Sequence, residues 1–96
     1  MSVSFEWDST KGSANLHKHG VSFDEASTVF DDSLAVIFYD ADHSIQEARE
    51  IIVGHSVRER LLVVCYTERV RDVVRIISAR LVTRKERKEY EEKRTE

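Results

Sequence analysis

Residues 61–81, LLVVCYTERVRDVVRIISARL, decide the fold of this chain. Leu61 to Thr67 is a continuous run of aliphatic and aromatic residues, which is typical of a strand. The charged segment Glu68 to Asp72 predicts a turn, and Val73 to Leu81 predicts a second strand that returns antiparallel. Apolar residues alternate on both sides of the first strand, so we expect both faces of the sheet to be covered.

The segments on either side of this hairpin predict three further strands and three helices. Strands are predicted at residues 3–6, 34–39 and 49–57, helices at 9–19, 22–31 and from Thr83 to about residue 94, and a loop at 40–48. Capping signals support the helix ends: Asp8, the Ser22–Glu25 and Thr83–Glu86 pairs, and Gly20. Gly54 predicts a β-bulge. Because the strands are adjacent in sequence, this order favours an antiparallel meander with helices segregated to one side, an α+β fold.

Composition limits the classes of protein to which the chain can belong. It has 96 residues, 41% of them hydrophobic, which predicts one domain spanning residues 1–96. No run of about 18 apolar residues is present, so we expect no membrane-spanning helix. The sequence lacks the pattern of a signal peptide, and its one cysteine, Cys65, excludes an internal disulfide and a cysteine zinc site. These features predict a cytoplasmic protein.

Charge is distributed unevenly along the chain. Residues 1–48 contain nine acidic residues and two lysines, a net charge of −7. Residues 49–96 contain thirteen basic and nine acidic residues, a net charge of +4. The basic half could attract phosphate groups; alternatively, the two halves could neutralise each other across the fold.

Two arginines, Arg75 and Arg80, interrupt the otherwise apolar strand at 73–81. A buried strand position rarely holds an unpaired charge, so each arginine must lie at an edge, pair with a carboxylate or line a site. Pairing, for example with Glu68 on the neighbouring strand, is one alternative. The other is that the guanidinium groups bind phosphate oxygens. Spacing alone does not choose between them.

Two groups of motifs resemble the BrnT family, the toxins of type II toxin–antitoxin pairs. The first group is Phe5-Glu6-Trp7-Asp8, Asn15-Leu16-His17-Lys18-His19-Gly20-Val21-Ser22-Phe23, and then Ala26 and Val29-Phe30. The second is Tyr66-Thr67-Glu68-Arg69, Arg75-Ile76-Ile77-Ser78-Ala79-Arg80 and the charged helix that ends near Tyr90. The resemblance spans nearly the whole chain, and its most specific parts are the Lys-His-Gly-Val and Arg-Ile-Ile-Ser-Ala-Arg segments.

The resemblance implies a RelE-like fold, a twisted antiparallel sheet of about four to five strands with two N-terminal helices and one C-terminal helix. It also implies an endoribonuclease that stops translation by cutting RNA. We expect cleavage through the ribose 2′-hydroxyl, with no metal and no cofactor. Such a reaction needs a base for the hydroxyl proton, an acid for the leaving oxygen and cations for the charge on the phosphate.

Candidate site residues follow from matching this chemistry to the motifs. The predicted catalytic residues are Glu68 as base, Arg75 and Arg80 as charge stabilisers, and Tyr90 as a proton-transfer group. The predicted RNA-binding residues are Arg69, Arg84, Lys18 and His19, and His19 is the alternative to Tyr90 in proton transfer. For Lys18 and His19 a structural role is also open, because cations are favourable at a helix C-terminus.

The resemblance further implies an antitoxin as partner. We expect a BrnA-like protein with a ribbon-helix-helix DNA-binding domain, which neutralises the toxin and contacts the operator. This chain would then reach operator DNA only through the antitoxin, and RNA either free or on the ribosome, with no membrane partner. A heterotetramer with the antitoxin is compatible with this arrangement. The alternative function is a non-catalytic antitoxin-binding module that contributes to autoregulation of the operon.

Overall fold

A computed structural model describes residues 3–39 and 49–95 of the chain, without the side chain of Arg69. Its elements, in chain order, are β1 (Ser4–Glu6), α1 (Ser9–His19), α2 (Phe23–Ser27), a 3₁₀ turn (Thr28–Asp31), β2 (Val36–Tyr39), β3 (Glu50–His55), β4 (Leu61–Val70), β5 (Val73–Leu81) and α3 (Arg84–Arg94). The predicted α+β class is confirmed, and β5 has the predicted bounds. The loop predicted at 40–48 lies outside the described residues.

The strands form one five-stranded sheet in the order β1-β5-β4-β3-β2. Neighbours from β2 to β5 are antiparallel, which confirms the predicted meander. β1 instead pairs with β5 in parallel, so the sheet is mostly rather than wholly antiparallel. Parallel neighbours need a long connection. Here the whole chain between β1 and β5 supplies it, and adjacency of strands in the sequence gives no sign of such a pairing.

The β4–β5 hairpin contains two shifts of register. Cys65 pairs with Ser78 whereas Tyr66 pairs with Ile76, so Ile77 is an extra residue that bulges from the ladder. The second shift lies beside the turn, where Asp72 has a left-handed φ of 63°. Asp is among the residues that tolerate this conformation, so the turn closes without a glycine.

Gly54 does not form the predicted bulge, because β3 pairs with β4 in unbroken register through this residue. A Cβ atom at Gly54 would lie 2.8 Å from the Cβ of Ala35 and 3.1 Å from Cγ1 of Val29. The bulge prediction was therefore wrong. The glycine is needed because the 3₁₀ turn and the start of β2 pack closely against β3 at this point.

Hydrogen bonds at the helix ends confirm most of the predicted caps. Asp8 accepts from two amides of the first turn of α1 at 2.8 and 3.1 Å, and Gly20 ends that helix with a φ of 70°. Thr83 and Glu86 form a complete capping box at the start of α3. Ser22 caps α2 by accepting from an amide at 3.0 Å.

The predicted helix at 22–31 is divided into α2 and the 3₁₀ turn. The hydroxyls of Ser27 and Thr28 donate to carbonyls one turn earlier, at 2.7 and 2.6 Å. Such back-bonding competes with the regular helical hydrogen bonds. Glu25, expected to complete a capping box with Ser22, directs its carboxylate to Arg60 instead.

Both faces of the sheet are covered, as the double apolar pattern of β4 predicted, but helices lie on both of them, so the predicted segregation of the helices to one side was wrong. On the α1 face, α1 and α2 cover a core that includes Val21, Leu62 and Ile76. On the opposite face, the α3 face, Tyr90 of α3 is 1% exposed and packs with Val63. Among the described residues, no helix is both long and apolar enough to cross a membrane.

Candidate functional site

Arg75 and Arg80 both project from β5 onto the α3 face. Arg75 lies opposite Thr67 and Arg80 opposite Val63. These two partners, Thr67 and Val63, are four residues apart on β4 and therefore share a face of the sheet. Val63 belongs to the cluster against which α3 packs, so this face is the α3 face. Ser78 lies between the two arginines on β5, about 7 Å from Arg80 by the rise of a strand.

The two arginines are paired with carboxylates, although not with Glu68. Nη1 of Arg75 lies 3.1 Å from a carboxylate oxygen of Glu6 on β1. Arg80 donates from both terminal nitrogens to the two carboxylate oxygens of Glu86, at 2.7 and 2.8 Å. The pairing that the sequence left open is therefore present with different partners. The side chains of Arg75 and Arg80 remain 33% and 40% exposed, so a ligand can still reach them.

The Arg80–Glu86 pair fixes the charge of both groups. Hydrogen bonds from Arg80, with help from the Thr83 amide, lower the pKa of Glu86 from the usual 4.5 to about 2. The same carboxylate raises the pKa of Arg80. Neither group exchanges protons near neutral pH, so this pair can stabilise charge but cannot act as a general acid or base.

β5 extends beyond the end of β1, which pairs with residues 73–75. Farther along β5, the side chain of Asn15 takes the place of a strand neighbour. It donates to the carbonyl of Ala79 at 2.8 Å and accepts from the amide of the same residue at 3.2 Å. Asn15 also donates to the carbonyl of Val21 at 2.9 Å and is 7% exposed. This side chain therefore joins α1 to the sheet edge and satisfies its backbone groups.

A groove of about 240 Å³ lies between α1 and this edge of the sheet, and we name it the β5 groove. Its lining includes Lys11, Lys18 and His19 of α1, and Ile77 and Ser78 of β5. Ile77 is the bulged residue, and Ser78 lies between the two arginines on the strand. The groove thus contains two of the predicted site residues, Lys18 and His19, and reaches the strand position that lies between Arg75 and Arg80.

Lys18 and His19 form the last turn of α1, where their charge is favourable to the helix dipole. Lys18 is exposed and His19 is half-exposed. Within the described part of the chain, neither side chain has a hydrogen bond or an ion pair. A role at the helix terminus and a role in ligand binding are thus compatible for both residues.

Three other predicted residues lie outside the β5 groove or are not described. Glu68 lies opposite Val74, whose side chain belongs to the core of the α1 face, so Glu68 points away from Arg75. Its carboxylate accepts from the Asp72 amide at 3.3 Å. Arg84 is exposed at the start of α3. The side chain of Arg69 is outside the described part of the chain.

Tyr90 lies in the core of the α3 face rather than at the β5 groove. Its hydroxyl is 3.5 Å from the carbonyl of Leu34, and its ring centroid is 6.2 Å from that of His55. Burial raises the pKa of this hydroxyl. The geometry gives Tyr90 a packing role, and its catalytic role stays a prediction.

A larger cavity, of about 370 Å³, lies beside the 3₁₀ turn and the β3–β4 connection, and its lining includes Asp31, Asp32 and His55. Nδ1 of His55 is 3.8 Å from Asp32, which is too far for a hydrogen bond. Two carboxylates in the wall make this cavity less favourable to a phosphate than the β5 groove.

Sequence reasoning missed the roles of Asn15 and Glu86. The contact between Asn15 and Ala79 joins residues 64 positions apart, and no local pattern predicts it. Glu86 was expected only as a capping residue, because the sequence does not show that Arg80 lies beside the same cap. Among the described residues, no three His, Cys, Asp or Glu side chains are grouped to hold a metal ion.

The comparisons with known proteins include a family model and a solved structure of another protein. A family model described as "Ribonuclease toxin, BrnT, of type II toxin-antitoxin system" matches residues 7–86. The crystal structure of the Brucella abortus ribonuclease toxin BrnT superposes with a TM-score of 0.66 at 21% identity. The match covers 86% of this chain and 100% of that one, and at this identity it shows the fold alone. No curated protein matches the chain.

Proposed function

The chain belongs to the BrnT family of ribonuclease toxins of type II toxin–antitoxin systems, and we propose that it cuts RNA at the β5 groove and thereby stops translation. In this proposal the toxin domain comprises residues 1–96, belongs to the RelE-like superfamily and acts in the cytoplasm. The observation that carries the proposal is the position of Lys18 and His19 beside Ser78, between Arg75 and Arg80 on the strand.

The proposed reaction uses the ribose 2′-hydroxyl as nucleophile and needs no metal. A base removes the hydroxyl proton, the 2′ oxygen bonds to phosphorus, and the bond from phosphorus to the 5′ oxygen breaks. The products are a 2′,3′-cyclic phosphate and a 5′-hydroxyl, which receives a proton from the acid. His19 is the side chain in the groove whose imidazole can both accept and donate a proton.

Cations around the groove supply the remaining part of the chemistry. Lys18 holds a phosphate as a point charge, whereas Arg75 and Arg80 offer planar donors to the phosphate oxygens. Donors directed at charge that develops in the transition state typically contribute about 10²- to 10³-fold in rate each. Arg84, exposed at the start of α3, extends the basic surface toward the neighbouring nucleotides.

The acidic net charge of −3 does not oppose this use of the surface. RNA binding depends on the potential at the contact, and screening confines each charge to about 8 Å at physiological salt. The carboxylates of Asp31 and Asp32 lie by the other cavity. We therefore expect RNA to contact the β5 groove and the basic residues of β5 and α3, and Arg69 to contribute from β4.

A type II toxin implies an antitoxin partner. We propose that this partner is BrnA-like, with a ribbon-helix-helix domain that contacts the operator, in a heterotetramer with the toxin. The antitoxin neutralises the toxin by covering its RNA site. This chain then influences its operator through the antitoxin alone.

The first test compares two histidines of α1. His19 lines the β5 groove, whereas His17, two residues earlier on the same helix, does not. Purified parent, His19→Gln and His17→Gln are incubated with end-labelled RNA in excess chelator, with and without ribosomes. We expect cleavage by the parent and His17→Gln, and a rate about 10²-fold lower for His19→Gln.

Any other outcome would contradict one part of the proposal. Equal rates for the two variants would remove His19 from proton transfer, and cleavage that requires a divalent ion would contradict the metal-free reaction. If folded parent cuts no RNA with or without ribosomes, the non-catalytic antitoxin-binding module replaces the ribonuclease.

A further inference from the structure

Glu86 occupies the face of Arg80 that a phosphate would use. Nη1 and Nη2 of Arg80 donate in parallel to the two oxygens of the Glu86 carboxylate, at 2.7 and 2.8 Å. This paired geometry is the one by which a guanidinium group binds two phosphate oxygens. A phosphate that takes these donors must therefore displace Glu86.

Glu86 also belongs to the capping box of α3. One carboxylate oxygen also accepts from the amide of Thr83 at 2.9 Å, and the amide of Glu86 donates to the Thr83 hydroxyl at 3.1 Å. The carboxylate oxygen that accepts from Thr83 is also the one that accepts from Nη1 of Arg80. When Glu86 leaves Arg80, the bond from the Glu86 amide to the Thr83 hydroxyl remains, so α3 keeps this half of its cap.

Glu86 lies among basic residues of α3. Residues 84–88 are Arg-Lys-Glu-Arg-Lys, and Glu86 is the acidic residue of the first turn of α3. Arg84, Lys85, Arg87 and Lys88 are exposed. A carboxylate at this point lowers the positive potential where RNA is expected to bind.

We propose that Glu86 is an autoinhibitory group, an internal competitor that occupies Arg80 until an RNA phosphate displaces it. The proposal rests on the ribonuclease function assigned to the β5 groove. Its consequence is that α3 sets the RNA affinity of the toxin through one side chain. A ribosomal contact that draws Glu86 away from Arg80 would raise that affinity without refolding the helix.

The test exchanges one carboxylate for an amide. Glu86→Gln removes the charge, and Gln is accepted at the same position of a capping box. Glu89→Gln is the matched control, because Glu89 is exposed on the same helix and the change in net charge is identical. The probe is a fluorescent single-stranded RNA with 2′-O-methyl groups, which cannot be cut, and its binding is followed by anisotropy at two salt concentrations.

We expect Glu86→Gln to bind this RNA about five-fold more tightly than Glu89→Gln, the factor that loss of a competing half-exposed ion pair gives. The advantage should disappear when both changes are made in an Arg80→Ala background, because the competition needs Arg80. A difference that follows Arg80 in this way distinguishes competition from a general effect of charge.

Three results would overturn the inference. Equal affinities of Glu86→Gln and Glu89→Gln, with the parent binding RNA and Arg80→Ala binding it more weakly, would remove the inference and leave the proposed function intact. An advantage of Glu86→Gln that persists without Arg80 would also remove it. If no variant binds RNA, the RNA site and the inference are lost together.

Discussion

Two Glu–Arg pairs, Glu25–Arg60 and Glu86–Arg80, use the same groups in opposite ways. The side chain of Glu25 is 5% exposed, whereas that of Glu86 is 29% exposed. In each pair, two nitrogens of the arginine donate to the carboxylate. The difference lies in what surrounds the pair, and it separates a contact that holds the fold from one that a ligand can exchange.

The Glu25–Arg60 pair connects three parts of the fold. Arg60 also donates to the carbonyl of Gly20 at 3.0 Å, at the end of α1. The hydroxyl of Ser56 donates to Glu25 at 2.7 Å. Hydrogen bonds from Arg60 lower the pKa of Glu25, although burial opposes this effect. Because every group in this cluster is satisfied by another, no partner can be replaced without leaving a buried group unpaired.

Glu25→Gln should produce the largest loss of stability. The change leaves Arg60 without its charge partner and turns one acceptor oxygen into a donor, facing the Arg60 and Ser56 groups that donate to Glu25. We expect the free energy of unfolding to fall by about 2–4 kcal/mol, measured by urea denaturation with circular dichroism.

Asp24→Asn is the control for this change, because Asp24 and Glu25 share the first turn of α2 and its dipole. It should cost about 0.5 kcal/mol. Equal losses for the two variants would mean that the cluster adds nothing beyond the helix dipole.

Acid should weaken the Glu86–Arg80 pair over a defined range of pH. The pKa of Glu86 is about 2 in the fold and 4.5 ordinarily, so the stability it contributes is complete above pH 4.5 and lost as the pH falls toward 2. Because the pair is partly exposed, we expect this contribution to be about 1 kcal/mol or less.

Urea denaturation between pH 2 and 6 checks this effect in the two glutamine variants of α3. Glu86→Gln should lose less stability on acidification than Glu89→Gln, since it has no proton to bind at this position. Parallel curves for the two variants would contradict the assigned strength of the pair.

Tyr90→Phe should have the smallest effect. The hydroxyl lies 3.5 Å from the Leu34 carbonyl, a long contact, and the ring supplies the packing. We expect a change of about 0.5 kcal/mol in the free energy of unfolding and an unchanged rate of RNA cleavage. A folded Tyr90→Phe that cuts RNA ten-fold more slowly would support the predicted catalytic role and place the reaction near α3.

How much of the molecule could be predicted from the sequence depends on whether a feature is formed by neighbouring or by distant residues of the chain. The β4–β5 hairpin, the caps at Asp8 and Thr83 and the stop at Gly20 are local, because each depends on residues close together in the chain. The parallel pairing of β1 and the packing requirement at Gly54 depend on distant segments, and local patterns do not predict them.

The candidate site could be predicted only in part for the same reason. The motifs identified Lys18 and His19, which line the β5 groove, and Arg75 and Arg80, which lie on the strand to either side of its Ser78. Glu68 was chosen as a carboxylate of the Tyr66–Arg69 motif that could act as a base, yet alternation along the strands directs its side chain and that of Arg75 to opposite faces. The arginine partners were missed because Glu6 and Glu86 come from elements outside the hairpin.

The most direct test of the central claim is the cleavage rate of Arg80→Gln beside that of Arg60→Gln. Each is measured on labelled RNA at a temperature where circular dichroism shows both proteins folded. We predict that Arg80→Gln keeps its fold and that its rate of RNA cleavage is lower than the parental rate by a factor of about 10² or more. Arg60→Gln should unfold at a lower denaturant concentration than the parent and should cut RNA at the parental rate while it is folded. Equal loss of cleavage in the two folded variants, or parental cleavage by Arg80→Gln, would contradict the account.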